Sequence, residues 1–356
     1  MLIGHTTPAA SKRYAARFGS LQAGGFYRPV HGIQVSSLGI GSYLGGLDEE
    51  TDRAYTKAVM AAVRSGINFI DTSLNYRNQR SERAIGLAIM TLLDAEHVDR
   101  DELMLCTKAG FLVPGAVPSK LLQPEEIAGG MHCMAPDFLE DQLERSRVNL
   151  GVETIDVFYL HNPETQLQFV ESGVFEDRVR KAFERLEELA ANRKIQFYGT
   201  ATWDGYRKPA GERLGLSLPR LLRLAEDVGG RFHHFRFVQL PFNLAMVEAL
   251  TVRNQHLNGE QVNILSAAGE LGIAVIVSAS LMQARLCREL PDALSAKLGA
   301  SATNAQCALQ FVRSTQGVAV ALAGMSNVKH VEENLGVALM PPLPLDEYSA
   351  LFSPGA

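Results

Sequence analysis

The chain has 356 residues, of which 46% are hydrophobic, and a formal net charge of −5. This length suits one large α/β barrel or two smaller domains, and the mild negative charge excludes a global attraction to nucleic acid or to an anionic membrane. The four cysteines are scattered without a C-x-x-C pair, which favours reduced thiols in the cytoplasm and disfavours a disulfide framework or a bound metal. No stretch approaches the ~20 apolar residues of a membrane span, and the N-terminal segment lacks the apolar core of a signal peptide.

Short apolar runs alternate with segments of helical period along most of the chain. We predict a poorly ordered N-terminal arm over residues 1–25 and one barrel domain over residues 26–356, in which residues 26–35 form a hairpin that turns at His31 and Gly32 and closes the barrel floor. The eight predicted strands lie within residues 35–46, 67–71, 102–108, 155–161, 194–200, 235–240, 272–280 and 317–325. Most of these runs are apolar on both faces, as in a covered parallel sheet. Eight strands alternating with eight helices predict a single (β/α)8 TIM barrel rather than an open doubly wound sheet.

Reactive side chains follow several of these strands at their carboxyl ends, where the active sites of barrels lie. Asp71 ends the second strand with Tyr76 in the loop behind it, Lys108 ends the third, His161 ends the fourth, and Gln239 lies near the end of the sixth. Taken singly, Asp71 suits a helix cap, Lys108 a solvated lysine, His161 a core histidine and Tyr76 a wall residue. Their combination favours a shared site, because a lysine inside a barrel mouth needs a counter-ion and Asp71 is on the neighbouring strand.

These side chains suit proton transfer to and from a carbonyl oxygen. An unperturbed tyrosine has a pKa of ~10, and a nearby ammonium lowers that pKa, so Tyr76 beside Lys108 is a candidate general acid for a carbonyl and base for an alcohol. Neutral His161 is a candidate for orienting the same oxygen, and Asp71 would keep Lys108 charged. The group supplies no hydride, which implies a nicotinamide cofactor.

The segments that carry these residues resemble the aldo-keto reductase superfamily. The matching motifs are FIDTSLNYRNQRSERAIG (69–86), LCTKAGF (105–111) and IDVFYLHNPE (155–164), and the resemblance extends from about residue 26 to residue 338. It implies NAD(P)H-dependent reduction of an aldehyde or ketone, or oxidation of the matching alcohol or sugar lactol. Tyr76 would be the acid/base, with Asp71, Lys108 and His161 completing a catalytic tetrad.

The resemblance also implies a cofactor site along the barrel rim and the eighth helix. Its implied members are Gly41, Ser42, Asp71, Thr202, Gln239, Ser278, Leu281, Gly324, Ser326, Asn327, His330, Glu333 and Asn334. Ala201 and Thr202 replace a Ser-Asn pair, and Ser278 replaces an aromatic that stacks on the nicotinamide ring, which a hydroxyl cannot reproduce. His330, beside Lys329, replaces an arginine that would bind a 2′-phosphate through a bidentate hydrogen bond. Only a slight preference for NADP(H) over NAD(H) follows, from the habit of the family.

Two long loops, at 111–137 and 203–219, are expected to choose the substrate. We predict that they line the substrate pocket with Phe111, Met131, His132, Trp203 and Tyr206. Aromatic faces beside polar groups suit a sugar or sugar-like substrate; the alternative is that these side chains only pack the loops.

Two other functions stay open. One is a non-catalytic barrel that binds NADP(H) and reports through a partner, which the altered nicotinamide contacts allow. The other is a Schiff-base lyase with Lys108 as nucleophile, which Asp71 disfavours because that lysine must be neutral to attack. We expect a small-molecule substrate and no nucleic-acid or membrane partner.

Overall fold

The computed structural model describes residues 1–95, 98–118, 120–209, 212–299 and 302–352. Three antiparallel hairpins are formed by β1 (Tyr27–Val30) with β2 (Ile33–Ser36), β6 (Ile127–Ala128) with β7 (His132–Cys133), and β11 (Gln255–Leu257) with β12 (Glu260–Val262). The barrel strands are β3 (Leu38–Gly41), β4 (Phe69–Asp71), β5 (Met104–Ala109), β8 (Ile155–His161), β9 (Ile195–Ala201), β10 (Phe235–Pro241), β13 (Ala274–Ser278) and β14 (Val318–Gly324). These eight strands pair in parallel in chain order, and β14 closes onto β3. The predicted (β/α)8 barrel is confirmed.

A helix follows each barrel strand. These helices are α3 (Glu49–Arg64), α4 (Arg80–Ala95), α5 (Pro136–Leu150), α6 (Ser172–Ala191), α7 (Leu218–Gly229), α9 (Ile264–Glu270), α11 (Asn304–Ser314) and α12 (Val328–Leu335). The additional helices are α1 (Pro8–Ala16), α2 (Gly19–Ala23), α8 (Glu248–Thr251), α10 (Asp292–Gly299) and α13 (Leu345–Ala350), with short 3-10 turns at Arg100–Glu102, Pro124–Glu126, Pro163–Gln168, Gly230–Phe232, Arg285–Cys287 and Gly336–Leu339. Local signals set several ends: Thr303 and Gln306 form a capping box at the start of α11, and Gly151 ends α5 with a φ of 72°.

The barrel strands are buried on both faces. All seven residues of β8 are buried, because their outer side chains face the helices and their inner side chains fill the barrel. This arrangement explains why the sequence shows continuous apolar runs in place of an alternating pattern.

The β1–β2 hairpin closes the floor of the barrel, as predicted. His31 and Gly32 form its turn with φ values of 47° and 83°, the left-handed geometry that a tight hairpin needs. Val30, Ile33 and Val35 of the hairpin pack into the same apolar cluster as the inward-facing side chains of the barrel strands.

The poorly ordered arm predicted for residues 1–25 is wrong, because α1 and α2 lie in that segment and α1 is anchored to the barrel. Thr7 caps α1, and the Tyr14 side chain is only 1% exposed. The Tyr14 hydroxyl donates to the backbone oxygen of Val63 over 2.5 Å, and the Thr6 N–H donates to Asp156 Oδ1 over 2.6 Å. The division of the chain at residue 25 stays a prediction.

Within the described ranges, no helix is both long and apolar enough to cross a membrane. In the same ranges, no three His, Cys, Asp or Glu side chains converge as they would around a metal ion. All four cysteines are free thiols. Ser119, Ala210 and Gly211, which belong to the two loops predicted to choose the substrate, lie outside the described residues.

Candidate active site

A cavity of about 750 Å³ opens at the carboxyl ends of the barrel strands. Every strand contributes to its wall, at its last residues or just beyond, through Gly41, Asp71, Phe111, His161, Ala201, Gln239, Ser278 and Gly324. The volume is in the range of cofactor and ligand sites, and the location is the one at which barrels carry chemistry.

A buried ion pair lies against the inner end of this cavity. Lys108 Nζ donates to Asp71 Oδ1 over 2.5 Å and to the backbone oxygen of Thr72 over 2.7 Å. The Gln239 side-chain amide donates to Asp71 Oδ2 over 2.8 Å, so both carboxylate oxygens are paired. Burial lowers the pKa of Lys108, but Asp71 and Tyr76 outweigh that effect. The net pKa of Lys108 therefore lies above its ordinary value, and the side chain stays charged.

The Tyr76 ring lies beside this ion pair, with its centre 5.0 Å from Lys108 Nζ. Burial is the largest influence on the pKa of Tyr76 and raises it, whereas Lys108 lowers that pKa through its charge and a hydrogen bond. The net pKa lies above the ordinary value. Lys108 thus acts in the predicted direction, but the expected net lowering is wrong because desolvation of the phenol outweighs the ammonium.

The His161 imidazole meets the Tyr76 ring edge to face, with the ring centres 5.7 Å apart. Its Nδ1 lies 3.1 Å from the Ser73 hydroxyl. Burial lowers the pKa of His161 well below its ordinary value, and the charge of Lys108 and the neighbouring His132 add to that effect. His161 is therefore neutral at physiological pH.

The structure brings almost all of the predicted cofactor residues to the cavity wall. Those that line it are Gly41, Ser42, Asp71, Thr202, Gln239, Ser278, Leu281, Gly324, Ser326, His330, Glu333 and Asn334. Asn327 does not line this cavity, because its side chain caps α12 by accepting from the His330 N–H over 3.1 Å. The Thr202 hydroxyl is turned to the backbone oxygen of Gln239 at 3.4 Å. The cofactor role of these residues stays a prediction.

Of the five side chains predicted to form a substrate pocket, only Phe111 and Trp203 line the cavity. His132 is completely buried and donates or accepts hydrogen bonds only inside the protein. Tyr206 is equally buried, with its hydroxyl 2.7 Å from that of Thr200. Met131 is 49% exposed at the tip of the β6–β7 hairpin, away from the cavity wall. The prediction is wrong for these three, because the hairpin and loop turn them away from the cleft.

Sequence reasoning missed other side chains at the cavity. Tyr43, Leu44, Asn75, Asn162 and Cys287 all line it. Tyr43 packs edge to face on Tyr76 with ring centres 5.0 Å apart. Two of the five were detectable, because Tyr43 directly follows the Gly-x-Gly-Ser stretch and Asn162 directly follows His161.

The loop after β13 closes one side of the cavity with an unusual backbone. Ala279, Met282, Gln283 and Ala284 all have φ between 47° and 65°, a region that residues other than glycine occupy rarely. Ser280 in this loop is fully buried and lines the cavity. Its hydroxyl has no hydrogen-bond partner within the described chain.

Comparisons with known proteins show which family the chain resembles. Residues 37–208 match the model of the Aldo/keto reductase family. The oxidoreductase YqkF of Bacillus subtilis, named as uncharacterized, is 24% identical over 170 residues, which cover 48% of this chain and 46% of that protein. The D-threo-aldose 1-dehydrogenase of Pseudomonas sp is 29% identical over 146 residues, covering 37% and 42% of the two chains. The 6-dehydroglucose reductase of Novosphingobium aromaticivorans is 29% identical over 139 residues, covering 37% and 40%.

Solved structures extend the likeness of fold to most of the chain, whereas the matched segments span less than half the length of the curated relatives. An aldo/keto reductase from Klebsiella pneumoniae in complex with NADP and acetate has a TM-score of 0.62 at 19% identity, with 90% and 92% of the two chains covered. The holo form of aldo-keto reductase AKR11C1 from Bacillus halodurans has a TM-score of 0.63 at 19% identity, with 93% and 97% covered. The resemblance predicted from the sequence is confirmed, because residues 37–208 match the Aldo/keto reductase family model and the solved structures share the fold.

Proposed function

We propose that the protein is an NAD(P)H-dependent oxidoreductase that reduces an aldehyde or ketone, or oxidises the matching alcohol or sugar lactol, with Tyr76 as general acid/base. The observation that carries the proposal is the buried Lys108–Asp71 ion pair directly beside the Tyr76 ring, at the inner end of a large cavity. Four side chains from three barrel strands and one loop converge there, in the order that the family motif predicts.

The cavity fits a nicotinamide dinucleotide. Its wall includes Trp203 and Phe111, which follow β9 and β5, and Glu333 and Asn334 of α12. When bound, the cofactor supplies or accepts the hydride. Gln239 and Ser278 would flank its nicotinamide end, and Ser326 and His330 its adenine end.

The chain's own residues supply the proton chemistry. Tyr76 donates its phenolic proton to the carbonyl oxygen as that oxygen gains negative charge, and Lys108 stabilises the resulting phenolate. Neutral His161 hydrogen-bonds the same oxygen and fixes its position. Asp71 keeps Lys108 charged and in place. In the oxidative direction the phenolate accepts the proton of the alcohol.

We further propose NADP(H) as the slightly preferred cofactor and a sugar-like molecule as the substrate. The names of two relatives refer to aldoses and to a glucose derivative, and two of the solved relatives bind NADP or NADPH. Tyr43, Phe111 and Trp203 give the cavity aromatic walls beside the amide of Asn162, as a carbohydrate ring would require. The absence of an arginine at position 330 keeps the preference for NADP(H) slight. A cytoplasmic location stays a prediction from the free thiols.

Titration with NADPH and NADH, followed by a panel of aldehydes, ketones and free sugars, tests the proposal. We expect saturable binding of a reduced cofactor and its oxidation in the presence of at least one carbonyl compound. Tyr76→Phe should abolish turnover while the Kd for NADPH stays within a few-fold of wild type, because the phenol acts on the substrate oxygen. A Tyr76→Phe variant with wild-type turnover would remove the acid/base role.

The same experiment separates the two alternatives. Tight cofactor binding without turnover of any carbonyl would support a non-catalytic sensor, which the intact tetrad disfavours and the altered contacts at Ala201 and Ser278 leave open. A substrate adduct on Lys108 trapped by borohydride would support a Schiff-base lyase. That alternative has less support, because Lys108 is fully buried, charged and absent from the cavity wall.

A further inference from the structure

His132 is a buried titratable side chain that the proposed mechanism does not use. It lies in β7, within the long loop that follows β5, and is completely buried. Its Nε2 lies 2.7 Å from the backbone oxygen of His161. A carbonyl oxygen only accepts, so His132 Nε2 carries the proton and donates to it.

The other ring nitrogen of His132 is fixed as well. Gln166 Nε2 donates to His132 Nδ1 over 2.9 Å, and the Arg178 guanidinium donates to Gln166 Oε1, which orients the amide. The second guanidinium nitrogen of Arg178 donates to the backbone oxygen of Glu125. Every N–H donor of this chain of hydrogen bonds thus has an acceptor, and the His132 imidazole is held as one neutral tautomer, with its proton on Nε2. Burial lowers the pKa of His132 to about 4, against the hydrogen bond to His161.

The hydrogen bond from His132 to the His161 backbone oxygen takes the place of a strand-to-strand hydrogen bond that the barrel sheet does not make here. His161 is the last residue of β8, and its backbone oxygen lies at the rim beside Gly110, where the β5–β8 ladder has ended. A Cβ on Gly110 would lie 2.5 Å from that oxygen and 2.7 Å from His132 Nε2. The imidazole therefore occupies the space that a side chain at 110 would fill. Phe111 packs edge to face on both His132 and His161, with ring centres 5.2 Å apart in each case.

We propose that His132 is a positioning residue for His161: its hydrogen bond fixes the end of β8 and couples the β6–β7 hairpin to the histidine that orients the substrate oxygen. This inference rests on the proposed function. Loss of the bond leaves a buried backbone oxygen unpaired and frees the strand end that aims the His161 imidazole at the cleft. A displacement of about 1 Å at a group that orients a reacting atom lowers rates up to roughly a hundredfold.

Two substitutions at position 132 separate the hydrogen bond from simple packing. His132→Leu keeps an apolar side chain of similar bulk but removes the donor, whereas His132→Gln keeps an N–H donor and an acceptor. We expect His132→Leu to lower kcat roughly tenfold to a hundredfold while the KM for NADPH changes less than about twofold, and His132→Gln to recover most of kcat.

Tyr14→Phe is the matched control, because it removes a buried hydrogen bond at the barrel floor, far from His161. It should lower the urea midpoint and leave kcat unchanged. In the wild type, ¹⁵N NMR should show the His132 proton on Nε2 in the neutral ring, with slow exchange. A wild-type kcat in His132→Leu, or equal losses in the Leu and Gln variants, would overturn the positioning role. A wild type that turns over no carbonyl would instead overturn the proposed function, and this inference with it.

Discussion

The Gln239 side chain donates to Asp71 Oδ2, while Lys108 donates to the other oxygen of the same carboxylate. One amide N–H of Gln239 is therefore committed to the ion pair, and its second N–H and its Oε1 are the groups left for a cofactor carboxamide. Gln239 is 4% exposed and lines the cavity. The amide thus joins the proposed proton-transfer group to the proposed cofactor site.

Gln239→Leu tests this double contact. We expect the Kd for NADPH to rise about tenfold, which is the effect of losing ~1.4 kcal/mol of binding free energy. The free energy of unfolding should also fall by about 1–3 kcal/mol, because a buried carboxylate oxygen loses its donor. Fluorescence titration and urea unfolding measure the two quantities separately. If the variant is destabilised but its Kd for NADPH is unchanged, Gln239 stabilises Asp71 and does not bind the cofactor.

Lys108→Met should raise the apparent pKa in the pH–rate profile. Burial already raises the pKa of Tyr76, and Lys108 is the largest influence that lowers it. Without the ammonium, the limb of the profile that reports the phenol should move to higher pH, which steady-state rates extended above pH ~10 would detect. Lys12→Met, at an exposed position of α1, is the control. An unshifted limb would argue against the pairing of Lys108 with Tyr76.

Glu164→Gln should change how stability depends on pH. Glu164 is 3% exposed, and its Oε1 accepts the backbone N–H groups of Trp203 and Asp204 over 2.7 and 3.0 Å. Burial raises the pKa of this carboxyl to about 7, against those hydrogen bonds. The folded state therefore binds the proton more tightly than the unfolded state, and the free energy of unfolding contributed by Glu164 falls as pH rises from about 5 to about 8.

The expected loss from Glu164 over that interval is of order 1–3 kcal/mol. Glu164→Gln stays neutral, so its curve of unfolding free energy against pH should be flatter than that of the wild type. Urea unfolding at several pH values gives both curves, and Glu171→Gln at an exposed position should reproduce the wild-type slope. Parallel curves for wild type and Glu164→Gln would mean that the buried carboxyl does not titrate here.

Tyr14 should contribute measurably to stability, because α1 belongs to the fold. Tyr14→Phe removes the hydroxyl that donates to Val63 and should lower the free energy of unfolding by about 1 kcal/mol. Tyr14→Ala also empties a buried site and should cost about 3–5 kcal/mol. Thermal and urea unfolding measure both. If Tyr14→Phe and Tyr14→Ala are both as stable as the wild type, α1 does not contribute to the stability of the fold.

The sequence predicted the barrel because its strands are buried on both faces, and largely apolar runs such as Ile155–His161 are detectable without a structure. Asp71, Lys108 and His161 could be placed for a related reason. Each lies at a strand end, and parallel strands bring their carboxyl ends to one rim. Tyr76 could be placed because it lies in the loop directly after β4, at the same rim.

Other features depend on contacts that no local pattern records. α1 is short and its apolar side chains other than Tyr14 are small, so its anchoring by Tyr14 was not detectable. His132 was expected in the pocket because it lies in a long loop, but its orientation is set by Gln166, which is 34 positions away. The pKa of Tyr76 was misjudged for a similar reason, because the sequence gives the neighbouring ammonium but not the depth of burial.

The tight packing at Gly110 has a consequence for protein engineering. Even a methyl group at position 110 would push apart the His161 carbonyl and the His132 ring. Gly110 should therefore be left unchanged in a library of variants. Attempts to retune selectivity by exchanging the following loop should keep the glycine and begin the graft at Phe111. A homologue with a larger residue at the equivalent point must have joined its loop to the barrel rim by another route.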